Sequence, residues 1–451
     1  MSEAVLSQTG VLQGCQLSPL LFIIFINDLI EFLRIPDCDA PRVIDQVVHA
    51  LLFADDLVLI SHTVSGLQRL LDKLKTYCVN WNLEVNKEKT KVVVFKKGTK
   101  LAKLERWTYD DYNLEVVREF RYLGILFSSS GSWKKHIQAA LRKARVNSMQ
   151  TLKLSYRCSY LPLSLLLRVY DATVKSALLY GSEIWGIDAD ASLDASGTFY
   201  YKKLLRLPMS ASNVGTHWYL YRDGINVSHR AEAMLRSFIY WFKLQLMEDN
   251  RLPKKCYLLQ LTEMEAGTPC WASKIKKALE DIGLRDVWLN TPRNIKVFQA
   301  RCFEKLVAIE RLSLSDKARE YPSLNPLRVV KELAGRGAPI VCPTIQANPE
   351  KHRWVIITLL SCRGSLVRRC EGSTLCSACA EPVSDIFSHV LAFCKKTPLK
   401  SRRKQNLTHV IQNIQSDPES ATPILLHQLF MSEDRFRLQR AYVELFLQTR
   451  L

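Results

Sequence analysis

The chain has 451 residues, of which 47% are apolar, enough for roughly two to four domains with packed cores. Its formal net charge of +19 favours a polyanionic partner, nucleic acid being the simplest, over a merely soluble basic protein. Thirteen cysteines without a secretory signal argue against a disulfide framework. The apolar run Leu17 to Leu33 carries Asn27, Asp28 and Glu31 and is too short and polar to span a bilayer, so an intracellular protein of nucleus and cytoplasm is expected.

In chain order, Ser18-Pro19 makes a helix start, with the serine as cap and the proline in the first turn; the helix is expected to run to about Leu33 and end before Pro36. Arg42 to His62 holds hairpin strands, with His49-Ala-Leu-Leu-Phe-Ala before and Leu57-Val-Leu-Ile-Ser after the turn Phe53-Ala54-Asp55-Asp56. Leu67, Leu70, Leu71, Leu74, Cys78 and Trp81 place one apolar stripe on a helix. Lys91 to Phe95 reads as a strand and Phe120 to Phe127 as part of a further hairpin. Strand, helix and strand on one antiparallel sheet make an α+β arrangement. From about Trp133 to Lys243 the pattern is helical. Ile137, Leu141 and Ala144 share a face, as do Leu165, Leu166, Val169 and Tyr170. Residues 250–355 are mostly helical, with Arg251-Leu-Pro-Lys-Lys255 and Glu320-Tyr-Pro-Ser-Leu-Asn-Pro326 as joints.

Asp55 and Asp56 put two like charges side by side at a hairpin tip. A divalent cation relieves their repulsion, and hard carboxylate oxygens suit Mg²⁺ together with substrate phosphates. Alone, an Asp-Asp turn is weak evidence, because aspartate is a common turn former.

The surroundings add to it. Upstream lies Gly10-Val-Leu-Gln-Gly-Cys-Gln-Leu-Ser-Pro-Leu-Leu-Phe22, continuing to Asn27-Asp28-Leu29. Downstream lie Trp81-Asn-Leu-Glu-Val-Asn-Lys-Glu-Lys-Thr90, Lys91-Val-Val-Val-Phe95 and Phe120-Arg-Tyr-Leu-Gly-Ile-Leu126. In this order and spacing the series resembles the palm of a reverse transcriptase of the non-LTR retrotransposon (LINE) type. The resemblance continues through Leu178-Leu-Tyr-Gly-Ser-Glu-Ile-Trp-Gly186 and Lys203-Leu-Leu-Arg-Leu-Pro208.

The resemblance implies that Asp55 is a Mg²⁺ ligand, with Asp56 its catalytic neighbour. Ala54 keeps the turn small, and Phe53 packs under the sheet. Gln13 and Gly14 lie against nucleotide or template. Asn86 and Lys87 resemble a polar pair near the primer, although a plain turn before a strand serves almost as well. Gly124 resembles the glycine of the primer-grip hairpin, or is a simple turn glycine. The helical stretch corresponds to a thumb; Lys134, Lys135, Arg142 and Lys143, with Arg145 and Lys153, either track a nucleic-acid backbone or form a solvated helix face. The family's metal site has another aspartate, on a strand several dozen residues before the Gln-Gly motif, and here Met1 stands only twelve residues before Gln13. The expectation is the C-terminal part of a polymerase, truncated and inactive alone. The alternatives are a non-catalytic binder of RNA or DNA derived from a retrotransposon, and a degraded element copy.

Near the C-terminus Cys376, Cys379, His389 and Cys394 give C-x2-C-x9-H-x4-C, three thiolates and an imidazole that can close a tetrahedral structural Zn²⁺ site. Related retroelement proteins carry a similar knuckle. Cys362 and Cys370 are competing ligands. Lys395, Lys396, Lys400, Arg402, Arg403 and Lys404 follow and suit phosphate contact or plain solvation. The expected domains are a partial palm (1–130), a helical thumb (131–250), a helical linker (251–355), the zinc knuckle with its basic flank (356–404) and a helical tail (405–451).

Overall fold

The computed structural model describes residues 10–12, 14–35, 39–96, 105–157, 163–204, 228–290, 292–319, 367–370, 373–376, 379 and 381. They fall into two units, Met1–His136 with Lys243–Lys274, and Ile137–Phe242 with Ile275–Leu451.

The first unit begins with α1 (Ser18–Phe25) and α2 (Leu29–Phe32). The single helix expected to Leu33 is interrupted at Ile26–Asp28, where Asp28 accepts a hydrogen bond from the Tyr77 hydroxyl. Ser18 is not the cap that its position suggests. It is the first helical residue, and its hydroxyl donates to the Leu12 carbonyl at 2.6 Å.

Two hairpins follow, β1 (Arg42–Val43) with β2 (Gln46–Val47), and β3 (Ala50–Phe53) with β4 (Asp56–Leu59). Helix α3 (Val64–Asn80) starts at Thr63, whose side chain accepts from the Gly66 amide at 3.1 Å. It buries Leu70, Leu71, Leu74, Tyr77 and Cys78, one stripe at helical spacing. Strands β5 (Lys91–Val93), β6 (Thr108–Tyr109), β7 (Tyr112–Asn113), β8 (Glu115–Val117), β9 (Glu119–Tyr122) and β10 (Ile125–Ser128) complete the unit's sheet material. The α+β mixture is as expected, but one antiparallel sheet is not: the described strands pair two by two, and β5 with β8 is parallel. The core joins Leu29, Leu33, Ala50, Leu71, Leu74, Tyr77, Val92, Trp107 and Leu114. The Trp107 ring N–H donates to the Val64 carbonyl at 3.0 Å, so the residues before β6 are pinned to the start of α3.

The helical reading holds for the described residues from Lys134 to Arg319. They comprise α4 (Lys134–Arg157), α5 (Leu163–Tyr170) continued by a π-helical Asp171–Lys175, α6 (Ser176–Leu178), α7 (Ser182–Trp185), α8 (Ser192–Leu204), α9 (His229–Leu246), α10 (Leu252–Glu265), α11 (Trp271–Asp281), α12 (Arg285–Leu289) and α13 (Ile295–Arg319). Arg251-Leu-Pro-Lys-Lys255 is a helix start, with its proline in the first turn. Leu166 and Tyr170 are buried, whereas Leu165 is exposed. The core of the second unit is aromatic: Trp241 stacks on Trp288 and Phe242 on Phe298. Gly186 allows a close helix approach, since a methyl there would meet the Ala233 carbonyl oxygen at 2.2 Å. The hairpin β11 (Val367–Cys370) with β12 (Ser373–Cys376) is described as backbone alone.

Candidate active site and nucleic-acid interface

The tip of the β3–β4 hairpin carries the acidic pair. Phe53 pairs with Asp56, leaving Ala54 and Asp55 as a two-residue turn. Ala54 has a φ of 51°, the positive value that the first position of a primed hairpin turn needs and that favours glycine. Alternation along the strands decides the faces. Ala50, Leu52, Leu57 and Leu59 face the core, so Leu51, Phe53, Asp56 and Val58 lie on the other side. Phe53 is accordingly 62% exposed, and the expectation that it packs under the sheet is corrected. The same parity carries Asp56 outward, and Asp55 in the turn is exposed as well.

Several other acidic groups of this unit have partners. Asp28 holds Tyr77, Asp39 accepts from Thr63 at 2.9 Å, and Asp45 pairs with Lys255 at 2.7 Å. Asp110 is bound by Lys75 and Lys87, which hold its carboxyl down to about 2. Among the described residues, Asp55 and Asp56 have neither a salt bridge nor a hydrogen bond to their carboxylates, and no group of three metal-type side chains forms. Two adjacent free carboxylates at an exposed tip are a hard-oxygen donor set of the kind Mg²⁺ takes with substrate phosphates.

A second hairpin stands close to this tip. In β9–β10, Tyr122 pairs with Ile125, and the turn residues Leu123 and Gly124 have φ of 46° and 82°. Positive φ at both positions is the type I′ requirement, which glycine meets without strain. Arg121 Nη1 donates to the Gly124 carbonyl at 3.1 Å. Tyr122 is near enough to Asp56 to respond to it. Partial burial raises its phenol pKa, and the Asp56 charge raises it further. Sequence reading found both hairpins but not this proximity, and singled out no role for Tyr122.

The remaining candidates are placed as follows. Gly14 has a φ of 90° in a tight exposed turn closed by the Cys15 amide on the Leu12 carbonyl. Gln13 lies outside the described residues. Asn86 Oδ1 accepts from the Lys89 amide at 3.0 Å, and the Asn86 carbonyl from the Thr90 amide, so Asn86 organises the turn before β5. Lys87 is engaged by Asp110 at 3.0 Å.

On α4, Lys135, Arg142 and Lys153 project along one line at about 100° per residue, with Lys134, Arg145 and Lys143 about 80–100° to either side. All six are exposed, no acidic residue occurs on the helix, and the buried Ile137, Ala140 and Ala144 are opposite. Lys135 reaches Glu119 at 3.4 Å, and Arg145 lies over the Phe199 ring at 4.8 Å. The helix is fixed at its start by buried His136, whose Nδ1 accepts from the Leu126 amide at 3.1 Å.

Of the cysteine/histidine set, Cys376 ends β12 and Cys379 stands in the following turn, half-buried, with its thiol 3.9 Å from Glu381. His389, Cys394, Arg402 and Arg403 lie outside the described residues. Cys370 pairs with Ser373, three residues along the strand from Cys376, a backbone separation of about 10 Å.

Residues 3–127 match the family described as reverse transcriptase (RNA-dependent DNA polymerase). The RNA-directed DNA polymerase from mobile element jockey of Drosophila melanogaster is 24% identical over 217 residues, 47% of this chain and 22% of that protein. The probable RNA-directed DNA polymerase from transposon BS of the same organism is 30% identical over 192 residues, 41% of this chain and 20% of that protein. The Pol polyprotein from its type-2 retrotransposable element R2DM is 34% identical over 137 residues, 29% of this chain and 13% of that protein. The chain thus spans about a fifth of the length of the first two curated relatives.

Proposed function

From the premise that residues 3–127 form a reverse-transcriptase domain of the non-LTR retrotransposon type, we propose that this chain contributes the acidic hairpin of an RNA-directed DNA polymerase and holds its nucleic-acid substrate. The observation that carries the proposal is the free Asp55–Asp56 pair at an exposed hairpin tip, in a unit where Asp28, Asp39, Asp45 and Asp110 are engaged by other side chains. Asp55, with Asp56 beside it, would hold Mg²⁺. Bound there, the ion would supply charge stabilisation at a reacting phosphate. The exposed tip leaves room for a primer end, and the cations of α4 suit the phosphates of an RNA or DNA duplex.

Two-metal phosphoryl transfer needs its cations held about 3.5–4 Å apart, a larger anionic set than two neighbouring carboxylates supply. The 451 residues alone are therefore proposed to bind a primed RNA template without extending it. The test incubates the purified chain and its Asp55→Asn variant with primer, RNA template, deoxynucleotides and Mg²⁺, scoring retention and extension separately. Retention by both without extension is expected. Extension that is lost in Asp55→Asn would overturn the inactive reading and leave the polymerase assignment standing. Failure to retain template would overturn the binding reading.

We further propose that Cys376, Cys379, His389 and Cys394 hold one structural Zn²⁺. The donor chemistry supports it, and the close spacing of Cys376 and Cys379 after a hairpin lets two sulfurs meet at little loop cost. The position of Cys370 in the hairpin makes it a poor substitute for Cys379. Metal analysis should find stoichiometric zinc in the parent and less than half of it in Cys379→Ser. Equal zinc in the two proteins would refute the ligand set.

A further inference from the structure

Helix α1 is apolar around more of its circumference than its own unit covers. Its sequence, Ser-Pro-Leu-Leu-Phe-Ile-Ile-Phe, contains no charged residue. At about 100° per residue, Ser18, Phe22 and Ile26 share one face, and that face is turned inward: Ser18 and Ile26 are buried and Phe22 is half-buried. Leu20, Leu21, Ile23, Ile24 and Phe25, with Leu17 just before the helix, occupy an opposite arc of about 200° and are 42% to 63% exposed. The patch runs on to Trp81, itself 43% exposed, whose ring meets Phe25 edge-on at 5.3 Å. A helix that is apolar nearly all round is normally enclosed by packing. Contiguous apolar patches on soluble monomers are on the order of a few hundred Å².

We infer that the exposed arc of α1 is a self-association surface, on which a second copy of this chain docks its own α1 about a two-fold axis. Area, charge and symmetry each favour that occupant. The arc together with Trp81 offers roughly 700–800 Å² of apolar surface, close to the ~800 Å² that each partner contributes to an interface of standard size. In an isologous pair the same patch faces itself, and because α1 has no charged side chain, no charge is set against its own copy. Basic and acidic side chains nearly balance in this unit, so net charge does not oppose the approach of two copies of it. Other occupants suit the arc less well. A phosphate backbone needs cations, and a lipid surface favours Lys or Arg beside the apolar face. The helix has neither, and Asp28 and Glu31 follow it.

The test is the oligomeric state of the full chain by analytical sedimentation. Nuclease treatment and about 0.5 M salt remove bridging by nucleic acid, which salt weakens, while apolar association persists. Between about 1 and 50 μM the parent should pass from monomer to dimer. Ile24→Asp and Leu20→Glu each place one charge in the arc and should raise the dissociation constant at least about tenfold. Leu289→Asp removes an apolar side chain that is 70% exposed on α12 of the other unit, and should leave the constant within about twofold. A parent that stays monomeric throughout would overturn the proposal whatever the variants do, and would assign the arc to another polypeptide or a lipid surface. Dimers as stable in Ile24→Asp and Leu20→Glu as in the parent would also overturn it, by placing the contact elsewhere. Assembly beyond the dimer would overturn the two-fold pairing.

Discussion

At the scale of single residues, cysteine environment separates reactive from inert thiols. Cys15 is exposed, and hydrogen bonds from the Leu17 amide and from Ser18 hold its thiol below the ordinary range. Cys302 is buried, and burial pushes its thiol up to about 12; Cys78 is raised for the same reason. Among the cysteines of the described residues, iodoacetamide at neutral pH should label Cys15 first and reach Cys78 and Cys302 only in denaturant, read by peptide mass spectrometry. Cys15 also follows Gly14, in the turn proposed to lie against nucleic acid. A primed RNA template should therefore slow its labelling severalfold. Labelling at an unchanged rate would count against that role for the turn. The Asp110 carboxyl offers a second residue-scale check. Its depressed pKa means that the Lys75 and Lys87 contacts stabilise the fold above the unfolded value near 4, and that this contribution disappears as pH falls toward 2. Asp110→Asn should lower the melting temperature at pH 6 and leave it nearly unchanged at pH 2. A constant difference across that range would show that the two lysines are not its source.

At the scale of elements, packing explains which features were legible in the residues. The stripe of α3 was readable because Leu70, Leu71, Leu74 and Cys78 repeat at helical spacing and are buried on one face, whereas Trp81, expected on the same stripe, caps the helix end and is exposed. The hairpin at Asp55–Asp56 was readable because a polar turn separates two β-prone runs. The break between α1 and α2 was not, since it is linked to a hydrogen bond from Tyr77, forty-nine residues further on. Nor was the outward face of Phe53: period-two alternation leaves two choices of face, and only the packing of Leu52 and Leu57 on the core selects one. The strand β5 was expected, but its parallel partner, β8, depends on tertiary placement. Element packing also yields a mutational test. A methyl on Gly197 of α8 would meet His229 Cε1 at 2.3 Å, whereas Gly131 has open space around it and only its φ of 70° to satisfy. Gly197→Ala should cost about 2–3 kcal/mol in urea unfolding, and Gly131→Ala about 1 kcal/mol from backbone strain alone. Equal costs would mean that the α8 contact with His229 yields easily.

For the whole molecule, the excess of 63 basic over 44 acidic residues is a statement about partners before it is one about stability. On α4 that excess becomes a directed surface: six exposed cations, no acid, and the apolar side turned inward. Binding to a phosphate backbone releases condensed counterions, so affinity should fall linearly on a log–log plot against salt, with a slope of about −0.9 per duplex-DNA phosphate neutralised. Charge scattered at random would also give salt dependence, so the slope alone does not identify α4. The discriminating variant replaces Lys135, Arg142 and Lys153 together by Gln, removing the line of cations without touching Asp55, Asp56 or the buried face. If all three meet phosphates, the slope on a duplex should become shallower by about 2–3 over about 50 to 200 mM salt, with weakening that is the same for unrelated sequences. Fluorescence anisotropy on two duplexes of different sequence reads both quantities. An unchanged slope would assign α4 to solvation and move the nucleic-acid surface elsewhere. Weakening on one duplex alone would indicate base contacts, which side chains laid along a phosphate backbone do not make.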